Sequence, residues 1–262
     1  MVSTSATRSA LRPPRPWDRQ PQWWLWVVAL VGWAALVDAF LAVVGPALGP
    51  LVGADGGADV GPVVDAAGHD LGPVFAVADW GAHAVASVAM VAVMAPLIGS
   101  NVRFAARRSP RGARGAVTRD VVAGWALVWL GVAAVLGVVG AVLVALLGEP
   151  VAIIVVTVVA VAWQCSPPKR RALARSQEMR APPARWTYGF ALGRDCVLSC
   201  WPLVALAVVA AHDPFVVAAV VGVAWYERRR RARHDPATFV TAPVIVAAGA
   251  VAFAVALLLG ST

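Results

Sequence analysis

Charged side chains are scarce in this sequence: they make up only 14% of its 262 residues, whereas hydrophobic residues make up 60%. Soluble globular domains carry about 25% charged residues, so this scarcity excludes that class. The formal net charge of +8 does not indicate nucleic acid, because basic residues in so apolar a chain are better explained by cytoplasmic loops that face anionic lipid headgroups. We therefore predict an integral membrane protein that binds no nucleic acid.

The motifs of common enzyme classes are also missing. The sequence contains no HExxH zinc motif, no GxSxG nucleophile turn, no phosphate-binding P-loop and no CxxCH haem attachment site. These absences predict that the protein is not an enzyme.

Long apolar stretches dominate what is present. A hydrocarbon core about 30 Å thick takes about 20 helical residues to cross. Seven stretches are candidates, at 23–45, 76–99, 119–147, 150–165, 194–211, 214–226 and 242–260. The fourth and sixth are short, so each must tilt little, use flanking residues or be re-entrant. The sequence therefore predicts an all-α fold, a polytopic transmembrane helical bundle of about seven spans.

The basic residues predict the orientation of this bundle. If the N-terminus is cytoplasmic, all 22 Lys and Arg residues lie in the N-terminal tail or in and beside the cytoplasmic loops 100–118, 166–193 and 227–241. On the opposite side, the charged residues of the connections are all acidic, such as Glu149 and Asp213. By the positive-inside rule, we predict a multi-pass protein of the bacterial inner (cytoplasmic) membrane, with its N-terminus inside and C-terminus outside.

The domain organisation follows from the same pattern. Residues 1–20 are polar and proline-bearing, and we predict a disordered cytoplasmic tail. Residues 21–262 form one transmembrane helical domain, whose only sizeable external loop is 46–75. The Arg clusters of the cytoplasmic loops are expected to contact anionic headgroups of the lipid bilayer.

Cysteine is rare as well, with three residues in the chain, and all three are predicted at cytoplasmic helix ends. Cys165 ends the fourth span, whereas Cys196 and Cys200 lie one helical turn apart near the start of the fifth. Disulfides are disfavoured on the cytoplasmic side, so reduced thiols are expected. Since thiolates are soft ligands that select Cu(I) or Zn(II), this spacing predicts a metal site at Cys196 and Cys200, with Cys165 as a further ligand.

The second predicted span offers further ligands on one helix face. His83, Ser87, Met90 and Met94 follow one another at intervals of four, three and four residues, which places them on one side of a helix. Thioether sulfur suits Cu(I) and imidazole suits copper. Met94, Met90 and His83 therefore join the candidate metal ligands, with His83 towards the outside.

Two prolines follow the sulfur ligands closely: Pro96 comes two residues after Met94, and Pro202 two residues after Cys200. A proline removes an amide donor and disturbs the carbonyl four residues earlier, which for Pro202 is that of Leu198. Kinks at these points would open room for an ion, although proline is also common in transmembrane helices as a packing device.

The same side chains are also compatible with roles that need no metal. A buried cysteine often packs only as a small apolar residue, and methionine pairs often fill gaps. Asp38, Asp79 and His83 support a different function, because an ionisable group inside a span marks a functional site by default. They would suit a proton-coupled small-solute transporter.

Five motifs together resemble a known family over residues 76–230. They are "AVMAP" at Ala92 to Pro96, "GWALVW" at Gly124 to Trp129, "WQCSPPK" at Trp163 to Lys169, "CVLSCW" at Cys196 to Trp201, and Glu227. In this order and spacing they are similar to the bacterial predicted metal-binding integral membrane proteins, which are catalogued as a domain of unknown function. The resemblance implies copper handling, with Cu(I) as the bound ion.

The chain departs from that family's pattern at four ligand positions. Ala172 and Ser176 stand where the family tends to carry cysteines, Ser199 replaces the middle cysteine of the last motif, and Val93 replaces a methionine. The leading hypothesis is Cu(I) binding by the remaining sulfurs. The alternative is a membrane scaffold or accessory subunit that has lost its ligands and packs against a membrane protein partner.

Overall fold

The chain is entirely helical in the residues that a computed structural model describes, which are 22–52, 77–179, 184–229 and 249. This confirms the predicted all-α class. The α-helices are, in chain order, α1 Trp23–Val52, α2 Val77–Met94, α3 Gly99–Arg107, α4 Arg114–Leu147, α5 Glu149–Gln164, α6 Pro167–Gln177, α7 Arg185–Val209 and α8 Pro214–Arg229. Two 3-10 turns, Ala95–Ile98 and Arg111–Ala113, follow α2 and precede α4.

Four helical segments are long and apolar enough to cross a membrane, judged by length and composition. They are Trp23–Ala42, Trp80–Arg107, Arg111–Leu147 and Arg185–Val209, and they match the predicted first, second, third and fifth spans. The predicted fourth span coincides with α5, which meets α6 at a bend of 68°; this bent pair is a fifth candidate if it counts as one span. Membrane crossing and its orientation stay predictions.

The remaining predicted spans have no such support in the described residues. The sixth, 214–226, lies in α8, which has only 16 residues. The seventh, 242–260, lies outside the described residues apart from Gly249, as do the predicted tail 1–20 and most of the external loop 46–75.

The predicted cytoplasmic loops contain helices, and the short helix expected in the middle of the loop 166–193 is confirmed by α6. The predicted loop 100–118 contains α3, and the predicted loop 166–193 contains α6 and the first turns of α7. Arg, Ala and Gln are good helix formers, so these helices continue beyond their apolar residues. The α6 helix begins at Pro167, because proline suits the first helical position and Ser166 caps the helix by accepting a backbone N–H hydrogen bond at 3.3 Å.

The central helix is α7, which packs against α4, α5, α6 and α8. It approaches α4 through two glycines. A Cβ at Gly189 would lie 2.5 Å from the Val121 carbonyl oxygen, and one at Gly193 would lie 2.8 Å from the Val128 Cβ. Gly189 and Gly193 form a G-x-x-x-G pair, the spacing that lets helix backbones in membranes approach closely.

The two prolines remove backbone donors at different places, and the kinks expected from them stay predictions. Pro96 lies in the 3-10 turn that ends α2, and Pro202 lies inside α7. Because proline has no N–H, the Leu198 carbonyl loses its helical donor. The Nε1 of Trp163, at the end of α5, donates to this carbonyl at 3.1 Å instead. The third and fourth motifs of the sequence are therefore joined by one hydrogen bond.

The outer surface of the helices is apolar. Leu30, Leu146 and Phe215 are 68%, 75% and 74% exposed, and only 17% of the most apolar window of the Arg111–Leu147 segment is buried. Soluble monomers rarely expose large contiguous apolar patches. This surface is compatible with insertion into a membrane.

Candidate metal centre

The two neighbouring thiols lie on the buried side of α7. Cys196 and Cys200 are 4% and 5% exposed and are not joined in a disulfide. The Sγ of Cys200 donates to the Cys196 carbonyl at 3.1 Å, and the Oγ of Ser199 donates to the same carbonyl at 2.7 Å. One helical turn therefore presents both sulfur atoms to the protein interior, as their spacing predicted.

Arg228, near the end of α8, reaches this thiol pair. Its Nη2 donates to the Sγ of Cys196 at 2.6 Å, and its Nη1 donates to the Leu97 carbonyl at 2.9 Å. Leu97 belongs to the 3-10 turn that begins directly after Met94. A single guanidinium thus connects Cys196 on α7 to the turn that directly follows the candidate ligand Met94.

A buried ion pair completes this end of the bundle. Lys169 of α6 donates from Nζ to the Glu227 carboxylate of α8, and both side chains are almost completely buried. Gln177 donates from Nε2 to the Glu227 backbone carbonyl at 3.2 Å. Lys169 was predicted in a basic loop at the lipid headgroups. It lies inside the protein instead, because Glu227 compensates its charge there.

A polar network surrounds the thiol end. Arg175 and Arg194 both donate to the buried Asp195 carboxylate, at 3.2 and 3.3 Å. The buried Asn101 side chain donates to the Ser176 carbonyl at 3.2 Å. These contacts tie α3, α6 and α7 together around the turn that carries the cysteines.

The other predicted ligands are distributed unequally. Met90 and Met94 are buried on α2, whereas Cys165, just after α5, is exposed. His83 lies at the other end of α2, half-buried, with its Nε2 3.4 Å from the Ser87 Oγ. In the described part of the chain, no three His, Cys, Asp or Glu side chains form a group that could hold a metal ion. The ligand roles stay predictions.

A second cluster lies where His83 meets the connection between α7 and α8. The His212 ring packs against the His83 ring with centroids 5.1 Å apart. His212 is buried, and its Nε2 has no hydrogen-bond partner in the described residues. Burial, with a smaller contribution from His83, lowers the pKa of His212 to about 4, so the ring is neutral at neutral pH.

Sequence reasoning missed three parts of this arrangement. Arg228 was one of a run of arginines and carried no individual signal. The pairing of Lys169 with Glu227 joins residues 58 positions apart, although both fell in motifs of the resembled family. His212 belonged to none of the motifs. The Asp-Pro pair that follows it is typical of a helix start and could have placed it in the turn between two helices.

Comparison with known proteins identifies the family. A family model described as PpoB2, copper chaperone, matches residues 83–252, about two thirds of the chain. The match spans all six predicted metal ligands and confirms the copper-related part of the resemblance. No curated protein and no solved structure matches the chain. On the strength of the family match, this chain belongs to the PpoB2 copper chaperone family.

Proposed function

We propose that the protein is a multi-pass membrane protein that binds Cu(I) through the Cys196 and Cys200 sulfurs. The observation that carries this proposal is the pair of reduced thiols buried on one face of α7, with Arg228 against one of them. In a copper chaperone family, two soft thiolates at this spacing are the ligand type that selects Cu(I). The bound ion is cargo for transfer to a partner protein.

The charges around the thiols suit a cuprous complex. Cu(I) held by two thiolates has a net charge of −1, which the Arg228 guanidinium offsets at hydrogen-bond distance from Cys196. Lys169 and Glu227 neutralise each other beside this site. Met94 precedes the turn that Arg228 also contacts, so its thioether is the nearest neutral soft ligand along α2.

Copper binding is tested by titrating purified protein with Cu(I) under reducing conditions against a chromogenic Cu(I) chelator. The Cys196→Ser, Cys200→Ser double variant is expected to lose more affinity than the roughly 10- to 100-fold that follows loss of an outer-shell partner of a metal site. Cys165→Ser removes the exposed thiol and serves as the matched control, with binding close to that of the unmodified chain. Equal, weak binding by all three proteins would reject the proposal.

Membrane insertion is supported by the apolar exterior of the long helices. Cys165 offers a test of orientation, because it is exposed whereas Cys196 and Cys200 are buried. A membrane-impermeant maleimide is expected to label Cys165 in inverted membrane vesicles and not in intact cells. Labelling in intact cells would contradict a cytoplasmic position for this residue.

One observation favours the alternative of a scaffold or accessory subunit. The Ser199 hydroxyl donates to the Cys196 carbonyl, and the Ser176 hydroxyl donates to the Leu173 carbonyl at 2.8 Å. At these two of the four replaced ligand positions, the serine hydroxyls are thus satisfied as in ordinary helix residues. A chain that binds no copper but co-purifies with a membrane partner would favour this function.

The transporter hypothesis has less support. Asp38 is exposed on α1, and it does not line the cavity beside His83. Proton-coupled transport through Asp38 and His83 would need both side chains to face one cavity.

A further inference from the structure

The paired histidine rings lie at the opposite end of α7 from the thiols. His212 lies three residues after the end of α7 at Val209, and the 13 residue steps from Cys196 to Val209 span roughly 20 Å of helix. Along α2, His83 and Met94 are likewise at opposite ends of one face, with the buried Met90 between them. Any function of the two imidazole rings is therefore separate from the candidate thiol site.

The backbone around His212 is held in an uncommon conformation. Ala211 and His212 have φ values of 49° and 60°, in the left-handed region that non-glycine residues rarely adopt. The Ala211 N–H donates to the Val208 carbonyl at 3.1 Å, and the His212 N–H donates to the Ala207 carbonyl at 2.7 Å. This is a Schellman helix end with alanine where glycine is usual. Such strain is often kept at functional sites.

The surroundings leave room for the His83 ring. Gly137 of α4 faces it so closely that a Cβ at this position would overlap the His83 Nε2. A cavity of about 330 Å³ lies beside the ring and is lined by Trp80, His83, Gly137 and Glu149 among others. Ala211 also lines this cavity, so the cavity borders the helix end that precedes His212.

The Nε2 of His212 has no partner in the described part of the chain, although the residue is only 6% exposed. Leaving a buried polar atom unsatisfied is unfavourable, because the atom has lost its hydrogen bond to water. Packing of the two rings accounts for their contact but not for the unpaired nitrogen of His212. A metal bond would satisfy it.

We infer that His83 and His212 form a second copper site, which binds Cu(I) through their imidazole nitrogens. Two imidazoles bound to one ion through bonds of about 2.0 Å have centroids roughly 4.5–6 Å apart, depending on the angle at the metal, and the rings here are 5.1 Å apart. No third His, Cys, Asp or Glu completes the pair in the described residues. Zn²⁺ takes four ligands, whereas copper accepts imidazole, and the separation of 5.1 Å corresponds to a bent angle of roughly 110° at the ion, which leaves a position open for a further ligand. The inference rests on the proposed function.

The experiment isolates this site in full-length protein that carries Cys196→Ser and Cys200→Ser. In that background, His212→Asn removes the imidazole but keeps a residue that tolerates the left-handed conformation. Gly137→Ala displaces the His83 ring without altering either histidine. The matched control is Gly131→Ala on the same helix, where an added Cβ meets no atom within 4 Å.

Cu(I) binding is measured by chelator competition, and copper X-ray absorption reports the ligand type. The Cys196→Ser, Cys200→Ser protein, which keeps the exposed Cys165, and its Gly131→Ala variant are expected to bind one copper with a nitrogen shell near 2.0 Å, as opposed to sulfur near 2.3 Å. His212→Asn and Gly137→Ala are each expected to weaken this binding by at least about tenfold. Unchanged affinity in both of these variants would overturn the inference.

The same measurements separate this inference from the proposed function. If the unmodified chain binds one copper with a pure sulfur shell, and the Cys196→Ser, Cys200→Ser protein binds none, the thiol site stands and the histidine site fails. If the Cys196→Ser, Cys200→Ser protein keeps all of the copper with a nitrogen shell, the histidine site stands and the thiol proposal fails.

Discussion

Arg228 donates from Nη2 to the Cys196 sulfur at 2.6 Å, which puts a guanidinium cation against a candidate copper ligand. The two residues are 32 positions apart and belong to different helices. The contact depends on the 3-10 turn after α2, because the Leu97 carbonyl holds the other arm of the guanidinium. The position of this positive charge beside the thiol therefore depends on three separate segments, which are α7, α8 and the 3-10 turn.

Replacement of Arg228 by alanine is expected to weaken Cu(I) binding about 10- to 100-fold. The reason is the loss of a charge-assisted hydrogen bond to a ligand, an interaction of about 1.5–3 kcal/mol. Chelator competition measures the effect. Arg229→Ala is the control, because Arg229 stacks over the exposed side of Trp225 at 4.8 Å and does not contact the thiols. Tighter binding by the Arg228 variant would mean that the guanidinium competes with the metal.

Lys169 and Glu227 are expected to behave as a single unit in stability measurements. Lys169→Met alone leaves a buried, uncompensated carboxylate, which should cost about 3–5 kcal/mol of unfolding free energy, whereas Lys169→Met with Glu227→Leu should recover most of the loss. Thermal unfolding in detergent tests this. The partly exposed pair Arg185 and Asp120, 3.7 Å apart, supplies the contrast: Arg185→Met should change stability by no more than about 1 kcal/mol. Equal stability of all these proteins would contradict the buried-pair assignment.

The close contact of α7 with α4 should make Gly189 intolerant of a methyl group. In Gly189→Ala the new Cβ would meet a backbone oxygen, that of Val121, at 2.5 Å, and a backbone cannot rotate away as a side chain can. Overpacking of this kind costs about 1–3 kcal/mol. Gly131→Ala, in open space on α4, should be neutral or stabilising. Equal melting temperatures of the Gly189→Ala and Gly131→Ala variants in detergent would show that the two helices are not packed as described.

Replacement of Ala211 by glycine is expected to stabilise the folded protein. Its φ of 49° carries a steric cost of roughly 1–2 kcal/mol that glycine does not have, so Ala211→Gly should raise the unfolding free energy by about 1 kcal/mol. Ala210→Gly is the neighbouring control. Ala210 has a φ of −83°, so glycine there should only add unfolded-state entropy and destabilise by about 0.4–1 kcal/mol. The two shifts should therefore have opposite signs in thermal unfolding, and shifts of the same sign would count against the turn.

Much of the helical architecture could be predicted from the sequence because an apolar run of about 20 residues is typical of a membrane-spanning helix. The ends of the helices could not. Arg185 begins α7 well before the apolar run, since hydropathy reports where hydrocarbon contact would stop and not where backbone hydrogen bonding stops. In the same way, the apolar run at 150–165 did not predict the 68° bend after α5.

The candidate site was predictable only in its local parts. The spacing of Cys196 and Cys200 determines that they share a helix face, but not that this face is buried, which depends on how the neighbouring helices pack. The partners of these thiols depend on how distant helices pack. Arg228 was indistinguishable from its neighbours in a basic run, and Lys169 was expected in a solvated loop, because nothing local reveals a compensating carboxylate 58 residues away.

The hydrogen bond from Trp163 to the Leu198 carbonyl links the end of α5 to the interior of α7. Leu198 lies between the two cysteines, and Pro202 has removed the amide that would otherwise hold its carbonyl within α7. The peptide between the thiols is therefore anchored to α5 and not only to its own helix. A displacement of α5 would therefore be transmitted to the backbone between Cys196 and Cys200.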